Sequence, residues 1–96
     1  MEGLTITRHE HATGGEYRAH VPGSDVVGRL TWVDSDGVKA ADHTLVPPEI
    51  GNRGVAGALV ARMIADARAE GFKIRPVCTY VAAAFKRHPE WADLQA

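Results

Sequence analysis

The chain has 96 residues, 45% of them hydrophobic, and a formal net charge of −1, which is the balance of one small globular, soluble domain over residues 1–96, able to bury about two-thirds of its extended-chain surface, and not of a disordered segment. It is not broadly basic: the clusters Lys73/Arg75 and Lys86/Arg87 are short, so composition gives no support for nucleic-acid binding. Cys78 is the only cysteine, no apolar run reaches membrane-spanning length, and residues 1–15 lack the order of a signal peptide; together these read as a cytoplasmic protein with no membrane partner and no intramolecular disulfide.

Leu4 and Ile6 alternate with Thr5 and Thr7, which predicts a first strand to about Arg8. His9 to Gly15 reads as a polar turn, in which His9 and His11 are solvated loop histidines and no metal site is expected, since no further ligand lies near. Tyr17, Ala19 and Val21 alternate with Arg18 and His20, giving a second strand that stops at Pro22-Gly23. A third strand runs from Val26 to Val33 with Gly28, Leu30 and Trp32 on one face, and Ser35-Asp36-Gly37 turns it into a fourth. The fourth strand changes phase. Val38 and Ala40 share one parity, and Ala41, His43 and Leu45 hold the other, so an extra residue near Ala41 or Asp42 is expected. Such a bulge leaves backbone groups that an extended ligand can pair with.

The stretch Pro47 to Phe72 is the one the rest serves. Two prolines keep Val46 extended, Gly51, Asn52, Gly54 and Gly57 loosen the backbone, and Ala56, Leu59, Val60, Met63, Ile64 and Ala67 then recur at helical spacing until Gly71, with Phe72 packing back. The first N–H groups of such a helix lack partners and sit at the positive end of its dipole, which suits phosphate or another anion, and Arg53 can add a guanidinium. Neither a Walker lysine nor Gly-x-Gly-x-x-Gly is present, and glycine-rich helix starts also serve packing. Lys73 to Val77 is short and extended, with Pro76 arguing for an edge or splayed position. A second helix is expected from Tyr80 to His88, with Val81, Ala84 and Phe85 inward; Pro89 ends it, and the tail pins Trp91 and Leu94 on the body. The order is a four-stranded antiparallel meander, helix, strand, helix: an α+β fold with a mostly antiparallel sheet and two main helices packed on it.

This order, together with His43-Thr44-x-Val46-Pro47-Pro48-Glu49, Arg53-Gly54-Val55-Ala56, Ala58-Leu59-Val60, Pro76-x-Cys78-x-Tyr80-Val81 and Lys86-Arg87-His88-Pro89, resembles the GNAT N-acetyltransferase superfamily, and most closely its small stand-alone members. The resemblance spans Leu4 to Leu94 and implies a GNAT-like fold that binds acetyl-CoA, with pantetheine against Leu45 and Val46, the pyrophosphate on the backbone of Gly51, Asn52, Arg53, Gly54, Val55, Ala56 and Gly57, and Tyr80 close by. Three departures bear on it. Gly51 and Asn52 stand where the superfamily usually opens its loop with Arg or Gln and then Gly; Lys86 follows Phe85 where larger members commonly place a tyrosine acid; and the N-terminal helices that shape an acceptor pocket in larger members are missing, which leaves the site open on one side.

Acetylation of an amine needs a neutral amine, so a proton acceptor is required, and His43, a residue type that titrates near neutrality, is the candidate. Cys78, beside a helix start that lowers a thiol pKa, is the candidate acyl acceptor or nucleophile; for both residues a purely structural role is equally compatible with the sequence. Tyr80 reads as a proton donor to the CoA thiolate or as core, with core favoured, and Leu59, Met63, Ile64 and Phe85 as packing. The implied partner is a small-molecule or protein amine. An acyl-CoA-binding module with little or no turnover, or a structural domain whose loop binds no anion, are the alternatives.

Overall fold

The computed structural model describes residues 3–51 and 53–96; Asn52, expected in the loop, lies outside the described residues. Strands β1 (Thr5–His11), β2 (Gly14–His20), β3 (Val27–Ser35) and β4 (Val38–Leu45) form an antiparallel meander. Helix α1 (Val55–Glu70) then returns the chain so that β5 (Lys73–Pro76) lies parallel to β4 at the sheet edge. Helix α2 (Thr79–Arg87) and a 3₁₀ segment, Pro89–Leu94, follow. The fold is α+β, and its five-stranded sheet is mixed, since a strand that follows a crossover helix pairs in parallel.

The Asp36-Gly37 hairpin closes in two residues, both at positive φ (52° and 78°), as its sequence predicts. The first hairpin corrects the expectation of a polar loop from His9. β1 continues through His9 and His11, pairing His11 with Gly14, because Gly15 lets β2 lie directly on the Trp32 ring: a Cβ there would stand 2.5 Å from the His9 carbonyl and from Trp32 Cζ2. His9 is thus a strand residue, its Nε2 2.7 Å from Thr7 Oγ1, with His20 Nε2 on the same oxygen at 2.9 Å.

One face of the sheet, carrying Tyr17, Ala19, Leu30, Trp32, Ala41 and Ile74, is buried under Leu59, Val60, Met63, Ile64 and Ala67 of α1 and Val81, Ala84 and Phe85 of α2. Tyr17 also donates its hydroxyl to Asp66 of α1 at 2.8 Å, and burial together with that carboxylate pushes the phenol far up, so it stays a donor. Arg8 reaches the same Asp66 and Glu70, and Arg62 donates to the Ile6 carbonyl at 3.1 Å, which fixes α1 across β1 and β2. Trp91 meets Phe85 edge-on at 5.6 Å and Leu94 is buried, so the tail is pinned as its sequence predicts. Among the described residues no helix covers the opposite face, which carries Thr7, Glu16, Arg18, Arg29, Thr31 and Val33.

Candidate functional site

The register of β4 locates the expected bulge. Trp32 pairs with Ala41 but Thr31 with His43, so Asp42 is the extra residue. β5 keeps its pairing with β4 only as far as Ala41 and Pro76. The Ala41 carbonyl there accepts from both Val77 N (3.1 Å) and Cys78 N (2.8 Å), and beyond it the two chains part. Residues 42–45 therefore have β3 on one side and no strand on the other, a row of backbone groups facing a split in the sheet.

Because β4 and β5 are parallel, α1 and α2 both start at the same end of the sheet, on either side of that split. The start of α1 is bare. Its N-cap is Gly54, held at φ 73° where a side chain would be strained, with no side-chain cap and no acidic residue in the first turn. Val55 is buried and anchors the turn, whereas Arg53, Gly54 and Gly57 are exposed. Ahead of it, Pro48–Ile50 forms a 3₁₀ turn that plugs Ile50 into the core, a step the extended reading of Pro47-Pro48 did not foresee.

Tyr80 corrects the expectation that it belongs to the core. The buried arc of α2 is Val81, Ala84 and Phe85, which leaves Tyr80 on the flank toward α1, 37% exposed. Its hydroxyl stands 3.7 Å from where a Cβ on Gly57 would be, so the first turns of the two helices meet at these residues.

Cys78 is the N-cap of α2 and is half-buried, its Sγ 3.5 Å from Thr44 Oγ1. Burial pushes the thiol up, but the Thr44 hydroxyl and the backbone N–H groups of Val81, Tyr80 and Thr44 outweigh it and hold the thiol below its ordinary value. Val46 is half-buried against the core, while Leu45 is 62% exposed. His43 is exposed and, opposite Thr31, stands on the helix-free face, whereas Thr44, opposite the buried Leu30, faces the helices. The fold thus gathers Cys78, Thr44, Tyr80, Gly57 and the loop on the helix side of the sheet and leaves His43 on the opposite face. Thr44, Thr31 and Asp42 were not singled out as site residues from the sequence; the phase change in β4 was the signal, since a bulge at Asp42 moves Thr44 to the helix side. A cavity of about 260 Å³ lined by Ala67, Arg68, Gly71, Phe72, Lys73, Asp93 and Leu94 lies at the far end of α1 and takes no part in this arrangement.

A helix N-terminus is suited to an anion such as a diphosphate, and the family model described as GCN5-related N-acetyl-transferase matches residues 16–94. The chain belongs to that family. No curated protein matches it. The span matched to the GCN5-related N-acetyl-transferase family holds β2 to the end of the 3₁₀ segment, and so includes the bulge, the split, both helix starts and Cys78.

Proposed function

We propose that this protein is an acetyl-CoA-dependent N-acetyltransferase acting on an amine. The observation that carries the reading is the convergence of two helix N-termini, neither with a side-chain cap hydrogen bond, on a split between parallel strands. The residues present fit the cofactor. The backbone of Gly51 and of residues 53–57, with Arg53 exposed beside it, would hold a diphosphate, and the unpaired edge of β4 with Leu45 and Val46 would hold an amide-bearing pantetheine as a partial strand. When bound, the cofactor supplies an acetyl thioester.

The roles we assign rest on where the fold sets these residues. Cys78, its thiolate favoured by Thr44 and by the start of α2, would line the site of the acyl group. His43, on the open face, takes the proton that an ammonium, with its pKa of about 10.4, must lose before its nitrogen can attack. Tyr80, exposed beside Gly57, is free to donate a proton to the departing thiolate. As a single domain whose one cysteine is unpaired, the protein fits the reducing cytoplasm.

The placement of His43 and Cys78 on opposite faces of the sheet favours a second reading, an acyl-CoA-binding module with little turnover. A native mass spectrum after incubation with acetyl-CoA, followed by measurement of acceptor-dependent CoA release, separates the two. Bound cofactor with release supports the transferase; bound cofactor without release supports the module; and no bound cofactor overturns both.

A further inference from the structure

We propose that Asp42 binds the ammonium group of the acceptor, so that the acceptor is a cationic aliphatic amine of the lysine type and not an aryl amine or an alcohol. This rests on the reading of the split as the transfer site.

The bulge is what makes the residue available. In regular pleating Asp42 and His43 would point to opposite faces; with two residues opposite the single Thr31, both project on the helix-free face. Thr31 confirms the direction, donating its hydroxyl to Asp42 Oδ1 at 2.6 Å. That bond fixes the carboxylate but supplies no charge. Among the described residues no Lys or Arg pairs with Asp42: Arg29 and Arg18 are held by Glu16, Lys39 by Asp34 at 2.8 Å, and Arg75, opposite Ala40 on β5, makes no bond to it. A half-buried carboxylate with one oxygen committed to a neutral donor and no counter-charge is suited to a cationic ligand.

Its position matches the need. Asp42 is the first residue past the point where β4 and β5 part, and it precedes His43. Leu45 and Val77, exposed by 62% and 56%, stand on either side of the split and offer apolar contact to the methylene stem of a lysine-like chain. Charge at the tip and carbon along the stem are what an aliphatic ammonium presents.

The test uses Nα-acetyl-lysine methylamide and its norleucine counterpart, whose side chain ends at the carbon that bears the ammonium in lysine. Both are titrated into the parent and into Asp42→Asn, which keeps an acceptor oxygen for Thr31 and removes the charge, while the amide shifts of Thr31, Asp42 and His43 are followed by NMR. Saturable shifts in the parent with the lysine probe only, weakened about fivefold or more in Asp42→Asn, are expected. Equal response to both probes, equal affinity in the variant, or no saturable response overturns the assignment. CoA release is measured alongside. If the parent releases no CoA with any amine but binds the lysine probe through Asp42, the transferase reading fails and the amine site stands; if it releases CoA and Asp42→Asn leaves the KM for lysine unchanged, the amine site fails and the transferase reading stands.

Discussion

The Cys78 thiol lies 3.5 Å from the Thr44 hydroxyl, reaching it across the line where β4 and β5 have parted. Two residues far apart in sequence meet because the Asp42 bulge turns Thr44 toward the helices while α2 begins at Cys78. The thiol is held below its ordinary value against the opposing effect of burial. Alkylation of Cys78 by iodoacetamide should therefore show a pH midpoint below that of a free cysteine, about 8.5. In Thr44→Val the midpoint should rise with little change in thermal stability, since one partly buried hydrogen bond is worth about 1 kcal/mol. An unmoved midpoint would leave the backbone N–H groups as the whole cause.

Gly57 gives a test of the cofactor site that adds no backbone strain. Gly54→Asp places bulk and charge at the loop, but Gly54 sits at φ 73°, so that change costs about 1 kcal/mol of backbone strain as well. Gly57 is helical, exposed and has only the Tyr80 hydroxyl near its missing Cβ. Gly57→Glu should stabilise the protein by about 0.5–1 kcal/mol, through helix propensity and the dipole. It should weaken CoA binding by more than about tenfold, because a carboxylate then faces the diphosphate at the same helix start. Calorimetric affinity equal to the parent's would remove the loop from the cofactor site.

Glu16 holds together two arginines that the sheet would otherwise set against each other. Arg18 and Arg29 are directly opposite in the β2/β3 ladder, and both donate to Glu16. The Arg18 hydrogen bond holds the Glu16 carboxyl below its ordinary 4.5, with burial opposing and Arg29 adding to the effect. A depressed folded-state pKa means stability that is fully present above 4.5 and is lost as pH falls through the lower folded value. Glu16→Gln should cost about 1 kcal/mol at pH 7, a small figure because the arginines are 39% and 41% exposed. Urea melts of parent and variant should converge as the medium is acidified below that range; a constant gap would mean that Glu16 acts by packing and not by charge.

Much of this was legible in the sequence, and the exceptions have a common origin. The alternation of Tyr17, Ala19, Leu30 and Trp32 and the helical spacing of Leu59, Met63 and Ile64 report which face of an element is buried; the phase change in β4 locates the bulge, but Val38, Ala40, His43 and Leu45 lie on the helix-free face and, of the two sets, Ala41 alone faces the helices. His9 was misread as loop because what extends β1 is the packing of Gly15 on Trp32, a contact between strands that no local pattern carries. For Tyr80 the sequence favours the core over a donor role, yet the flank it occupies is set by where α1 lies. The pairing of Cys78 with Thr44 likewise depends on two elements meeting, and only the bulge hinted at it.

His43 and Cys78 make separable predictions because they stand on opposite faces of the sheet. His43→Gln should leave CoA affinity unchanged, slow transfer and flatten the pH–rate profile near neutrality, since Gln keeps a polar side chain but accepts no proton. An unchanged profile would return His43 to a structural role on the open face.

For Cys78 the question is whether its sulfur carries the acetyl group or only lines the place where it is held. Thioester exchange keeps the bond type: the thiolate sulfur bonds the acetyl carbon as the carbon–sulfur bond to CoA breaks, CoA leaves as its thiolate, and a later amine attack restores the Cys78 thiolate. Stabilisation of that thiolate by Thr44 and by the N–H groups of Tyr80 and Val81 favours both the attack and the release. The expected result is that the parent gains acetyl mass on Cys78 under rapid quench when no amine is present. Cys78→Ala should lose both that mass and turnover by more than about a hundredfold, with CoA affinity kept. Direct transfer predicts the reverse pattern, an alanine variant with most of its activity and a parent that never gains mass, and that outcome would leave Cys78 as a wall of the acetyl site.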